Sequence, residues 1–193
     1  PIVTQHDIGT AANEIPLNQY LGTMAFQDGV LYQGIRGTAV QPNGVSSVTL
    51  SNIPSWAKKI IVSFDDIIFN ANGSDYIQLQ LGDAGGVETT GYESVSSYLY
   101  GTNFVNTLRG TSHFRTWWGG NSTAPYNGHY ILTNITGNSW VVSAQLSIWQ
   151  SPTPALNFIA GSKTLSDTLT QLKFSTSSGV NFTAGTMNIH YEG

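Results

Sequence analysis

An all-β fold, an antiparallel β-sandwich of jelly-roll-like type with a short extended N-terminal attachment segment, is predicted by three features of this chain. From about residue 34 onward the apolar residues recur with a period of two, the spacing that sends alternate side chains to opposite faces of a strand. Clusters of Gly, Asn and Ser interrupt these runs, as turns between antiparallel strands require. Only the turn at Pro16 and the stretch from Ser166 to Leu172 could form helices, and both are short. The 193 residues suffice for one domain with a core of its own.

Residues 1–33 read differently from the rest. Ile8, Ile15, Leu17, Tyr20, Leu21, Met24 and Phe26 are apolar without a sustained period, and Pro16 and Gly22 can bracket a single helical turn. So short a segment cannot bury these side chains alone. It is expected to attach the domain to a neighbour, to knit an oligomer, or to strap its own core. Pro1 is compatible with removal of an initiator Met; a nearly complete chain is expected, with a longer parent as the alternative.

The sandwich domain is expected to occupy residues 34–193. Strands are read from Ser47 to Leu50, Lys59 to Phe64, Tyr76 to Leu81, His129 to Thr133 and Thr186 to Tyr191. The clearest runs from Trp140 to Trp149. There Trp140, Val142, Ala144, Leu146 and Ile148 share one face, and Val141, Ser143, Gln145, Ser147 and Trp149 share the other. The interval from Gly101 to Gly128 breaks this rhythm and reads as one long connection. Connections beyond roughly 12–15 residues are uncommon in compact domains and often functional. No short internal repeat is present, which argues against a propeller or solenoid.

One run, residues 77–92, reads Ile-Gln-Leu-Gln-Leu-Gly-Asp-Ala-Gly-Gly-Val-Glu-Thr-Thr-Gly-Tyr. An alternating strand meets a glycine-dense turn and restarts toward Tyr92. This run resembles part of a β-rich domain of bacteriophage tail-fibre and related virion proteins, in which Leu-Gly-Asp precedes Gly-Gly-x-Glu-x-x-Gly-Tyr. The stretch from Ile53 to Ile60 resembles the lead into an earlier strand of that domain, and residues 161–166 and 184–191 resemble its closing strands. Residues 7–22 are similar to lead-in segments of structural proteins from marine phages. These motifs cover about two thirds of the chain. The resemblance implies a homotrimer on the virion exterior, on tail or capsid, which contacts other virion proteins through its N-terminal segment.

Composition narrows the function classes. Hydrophobic residues make up 40% and charged residues only 9%, against roughly 25% charged in ordinary soluble domains. The exterior must therefore be built largely from Ser, Thr, Asn, Gln and Gly, which suits virion proteins and extracellular binding modules. A formal net charge of −4, with seven Lys and Arg and one adjacent pair at Lys58-Lys59, argues against nucleic acid. No apolar run is long enough to insert as a membrane-spanning helix. Without cysteine there are no disulfides and no thiolate metal sites.

The interval from Gly101 to Gly128 holds the candidate ligand site. A sugar presents a C–H face that stacks on aromatics and a rim of hydroxyls that needs planar donors and acceptors. Trp117, Trp118 and Tyr126 can supply platforms for a bacterial surface polysaccharide, and Arg109, His113, Arg115 and Asn121 directional partners. The alternative is that these aromatics fill the core or an interface between subunits. Asp83, Glu88 and Glu93 flank the glycine turn and could gather around Ca²⁺, although capping by Asp83 explains that residue without metal, and no metal is expected. Asp65 and Asp66, being adjacent, should point to opposite faces of a strand. His6, His113, His129 and His190 lack zinc spacing, and His190 falls on a surface face. No cofactor is expected either. Ser55-Trp56-Ala57-Lys58 matches Ser-x-x-Lys without the companion motifs of the enzymes that use it. The expectation is a non-enzymatic phage virion protein, a tail-fibre distal domain adsorbing to host glycan. Alternatives are a capsid decoration or head-fibre protein, a glycan depolymerase acting through carboxylates, and a cellular carbohydrate-binding module.

Overall fold

A computed structural model describes residues 22–27, 30–70, 75–101, 103–117, 122–149 and 152–193, with backbone alone for 22–33 and 104–106. The described residues form an all-β, antiparallel sandwich of two unequal sheets and no helix. The larger sheet has nine strands. In spatial order they are β1 (Gly22–Gln27), β2 (Val30–Arg36), β14 (Phe182–Glu192), β4 (Lys59–Phe69), β10 (Tyr126–Thr136), β11 (Ser139–Ile148), β12 (Ala155–Thr164), β7 (Tyr92–Tyr100) and β8 (Asn103–Gly110). The smaller sheet runs β3 (Ser47–Ser51), β13 (Gln171–Thr176), β5 (Ile77–Asp83) and β6 (Gly86–Val87), and β9 (Phe114–Arg115) adds a second short piece to β5.

Alternation in the sequence becomes burial in the fold. On β11 Trp140, Val142, Ala144, Leu146 and Ile148 are buried, while Val141, Ser143, Gln145 and Trp149 face solvent. On β5 Ile77, Leu79 and Leu81 are fully buried. Each such side chain contributes roughly 1.5–3 kcal/mol by leaving water. Aromatic rings join the layers. Phe64 of β4 and Tyr130 of β10 both lie 5.2 Å from Phe174 of β13, and Tyr92 of β7 meets Phe114 of β9 edge-on at 5.2 Å.

Four expectations change. Asp65 and Asp66 are both exposed, because β4 bulges there and skips one beat of the alternation. Asp66 takes a φ of 51°, and Asn127 holds it, accepting from the Asp66 N–H at 2.8 Å and donating to its carboxylate at 3.0 Å. Gly185, at φ 96°, lies against the bulge, where a Cβ would stand 2.3 Å from the Asp66 carbonyl oxygen. Ser166 to Leu172 is no helix: an irregular segment leads into β13, held by bonds from Thr170 N to Gly82 O and from Ile53 N to Thr170 O. The interval from Gly101 to Gly128 is not one long loop, since β8, β9 and the start of β10 fall within it. β1 and β2, which fall largely in the segment 1–33 read without a period, are antiparallel strands with Gly22 opposite Ile35, and β2 pairs with β14.

Candidate functional site

The glycine-turn motif closes one end of the sandwich. Asp83 is buried, and its carboxylate accepts from the Gly85 N–H at 2.8 Å, a local turn cap. Its second oxygen lies 2.7 Å from the Ser166 hydroxyl, which also stands 2.8 Å from Glu88. Glu88 accepts the Ser166 N–H at 2.7 Å and pairs with Lys163, whose side chain is 5% exposed. Burial alone would raise the Glu88 pKa. The hydrogen bonds from Lys163 and Ser166 and the Lys163 charge outweigh it and lower the value to about 2. The Tyr92 hydroxyl accepts from Leu81 N at 2.8 Å and donates to Glu88 O at 2.9 Å; burial foremost pushes its pKa up to about 12. Glu93, one residue on, is exposed on the opposite face. Asp83, Glu88 and Glu93 therefore do not gather around a cation, and no metal-competent group of three His, Asp or Glu occurs among the described residues.

The aromatic and basic residues of the candidate ligand site separate into three groups. His113, Arg115 and Trp117 lie together beside β5 and β7. The Arg115 guanidinium sits 3.4 Å over the Tyr76 ring, and His113 stacks on the same tyrosine at 5.9 Å. Burial first, then the Arg115 charge, lowers the His113 pKa, and Ser112 Oγ lies 2.9 Å from its Nδ1. Trp117 stacks on Tyr98 at 5.7 Å, and its N–H donates to the buried Asn157 side chain at 2.8 Å. The segment after β9 thus runs over the inward faces of β7 and β12, where the smaller sheet gives out. Each of these rings already has one face covered by the chain itself.

Arg109 stands apart, exposed on β8 opposite Val95. Tyr126 corrects the expectation of a third platform: it is fully buried, 5.6 Å from the Phe69 ring, and belongs to the core. Trp118 and Asn121 lie outside the described residues, as do His6 and the attachment candidates Ile8, Ile15, Leu17, Tyr20 and Leu21. Met24 and Phe26 fall in β1, described by its backbone.

A second surface was not among the candidates. The outward side chains of β10, β11, β12 and β7 line a groove of about 490 Å³ that includes Val95, His129, Ser143, Gln145 and Phe158. It adjoins a smaller groove of about 300 Å³ bordered by Leu99, Trp149, Pro154 and Leu156. Trp149 is 72% exposed. Its place on the polar face of β11 was visible in the alternation, where a large aromatic among Ser and Gln is the signal.

Neither a family model nor a curated protein matches the chain. Among solved structures it is similar to the CBM2 module of the evolved Dit of Lactobacillus casei BL23 phage J-1, at 10% identity, covering 88% of this chain and 80% of that one. The TM-score is 0.24, too low to bear on fold or function.

Proposed function

We propose that the chain is a non-enzymatic structural module of a bacteriophage virion, a jelly-roll-like tail-fibre distal domain that contributes to adsorption on bacterial surface glycan. The observation that carries this reading is the use made of residues 77–92, the first of the runs in which the chain resembles phage fibre domains. Asp83, Glu88 and Tyr92 are spent on one another, on Lys163 and on Ser166, so the motif holds the sandwich closed. A glycan depolymerase using these carboxylates needs a general acid with a raised pKa. Glu88 is driven the other way, to about 2, and the buried Asp83 caps its own turn. The weakly charged exterior fits a particle surface that recognises sugars by stacking and hydrogen bonds.

In this reading residues 1–33 attach the module to neighbouring virion proteins or join three copies. Three weak glycan sites on one fibre gain avidity when they engage one cell surface together. Intact particles imaged with an antibody against this chain test the proposal. Three-fold fibres on the tail support it; label on the capsid replaces it with a decoration or head-fibre protein. The mass of the purified full chain in solution tests the trimer, and a monomer that stays monomeric at high concentration refutes that part.

A further inference from the structure

We propose that the outer face of the nine-stranded sheet, along β11, binds an uncharged glycan chain, with Trp149 as stacking platform and His129, Ser143 and Gln145 as hydrogen-bonding partners. This rests on the glycan-adsorption reading above and moves the contact from the Trp117 segment to the sheet.

Trp149 is the first ground. At 72% it is the most exposed of the large apolar side chains described, yet its backbone is anchored by a bond from its N–H to Pro125 O at 3.1 Å. Packing against the described residues does not explain a tryptophan so placed. An indole fixed at its root and bare on its face offers what a pyranose C–H face stacks on, at little entropic cost.

The register supplies the second. Along β11 the outward residues Ser147, Gln145 and Ser143 follow Trp149 at ~6.8 Å per pair of residues. Across the sheet Gln145 stands opposite His129 on one side and Phe158 on the other, and Phe158 opposite Ser97. In the next row Ser143 stands between Ile131 and Ala160, and Ala160 opposite Val95. The small Ser143 and Ala160 sink the surface between larger neighbours, and that depression is the groove of about 490 Å³. The side chains of His129, Ser143 and Gln145 make no hydrogen bond to any described residue. Imidazole, hydroxyl and amide together offer both donors and acceptors, as sugar hydroxyls need.

Charge identifies the class. No Asp, Glu, Lys or Arg lines either groove; past Val95 and Ala160 the rim carries one acid, Glu93, and one base, Arg109, whose charges offset, so neither sign of sugar charge is favoured. A second copy of the chain fits less well. Polar side chains interrupt the apolar ones in each row, and burying them without partners would cost ~1–3 kcal/mol apiece. A glycan brings its own hydroxyls to them.

The test uses the full chain and immobilised dextran, galactan and mannan, with alginate as the acidic control. Binding, melting temperature and solution mass are measured for wild type, Trp149→Ala, Gln145→Ala, Trp117→Ala and the distant control Ile135→Ala. The expected result is retention of wild type and Ile135→Ala on at least one neutral polymer. Trp149→Ala should weaken it tenfold or more and Gln145→Ala several-fold, at unchanged melting temperature and mass. Binding that survives Trp149→Ala but is lost with Trp117→Ala overturns this site and leaves adsorption standing. Preference for alginate overturns the uncharged class, and a changed mass in Trp149→Ala makes the face an interface between copies. Wild type that ignores every polymer removes the glycan reading itself.

Discussion

Glu88→Gln is expected to cost up to about 3 kcal/mol at pH 7 and to flatten the acid dependence of stability. The carboxyl has a pKa of about 2 in the fold against 4.5 ordinarily. That gap, at ~1.36 kcal/mol per pH unit, corresponds to about 3 kcal/mol of preference for the charged form. The figure is an upper one, because 21% of the side chain remains exposed. The partner gives an independent check. Lys163 is 5% exposed, and without the Glu88 charge it keeps only its bond to Thr164 O at 2.8 Å and the face of Tyr92, so the half-buried pair points the same way. In a domain of this size each kcal/mol is worth about 2–4 °C, so the melting temperature should fall by up to about 6–12 °C.

The sign follows from proton counts. Between pH 4.5 and 2 the unfolded chain holds a proton at Glu88 that the folded chain does not, so stability rises with pH there. The contribution is complete above pH 4.5 and gone once pH falls through 2. Urea denaturation of wild type and Glu88→Gln at steps from pH 7 to pH 2 measures it. The two curves should be up to about 3 kcal/mol apart at pH 7 and should converge toward pH 2. Curves that stay parallel, or a variant as stable as wild type at pH 7, would refute the closure.

Tyr130→Phe should leave stability unchanged or raise it by up to about 1 kcal/mol, because the Tyr130 hydroxyl is buried without a partner among the described residues; a drop in melting temperature would reveal a hydrogen bond made there, through water or otherwise. Gly161→Ala should cost ~3 kcal/mol or more, since its Cβ would lie 2.1 Å from the Glu93 carbonyl oxygen and force β12 from β7; a wild-type urea midpoint would contradict the register. Trp117→Ala should lower stability by ~1–3 kcal/mol through loss of its stack on Tyr98, and calorimetry showing no change would mean that the segment does not cover β7.

The fold was legible wherever one strand face is buried and the other wet. The alternation from Trp140 to Ile148 and from Ile77 to Leu81 carries strand, register and core face together. It failed where that condition lapses. Ser94 and Ser96 face inward on β7, and β8 lies at the sheet edge, so neither gives an apolar beat. The bulge at Asp66 depends on Asn127 and Gly185, both distant in sequence. The pairing of β1 with β2 has a signal in the sequence alone, the dipeptide Asp-Gly that separates the two runs, a pair common between antiparallel strands. The grouping of His113, Arg115 and Trp117 was readable from proximity along the chain. Tyr126 was misread because a polar, glycine-rich neighbourhood hid the start of a central strand.

The inequality of the two sheets explains why the outer face is the freer surface for recognition. Nine strands on one side and a smaller sheet on the other leave inward positions of β7 and β12 uncovered, and the segment carrying Trp117 is used to cover them. Substitution there alters packing. Among the outward positions of β10, β11 and β12, Asn127 holds the Asp66 bulge and Ser147 bonds to Asn127 O, but those at His129, Ser143 and Gln145 carry no such burden. These strands are paired along both edges, so the backbone ladder holds them whatever side chains they present. Exposed substitutions on such a scaffold usually change stability by less than about 0.5 kcal/mol. Ser143 and Gln145 can therefore vary with little effect on the fold, whereas His113, Arg115 and Trp117, each held in ring stacking or hydrogen bonds, are tied to packing. If the proposed glycan contact holds, a change of sugar specificity is expected on this sheet face before the Trp117 segment.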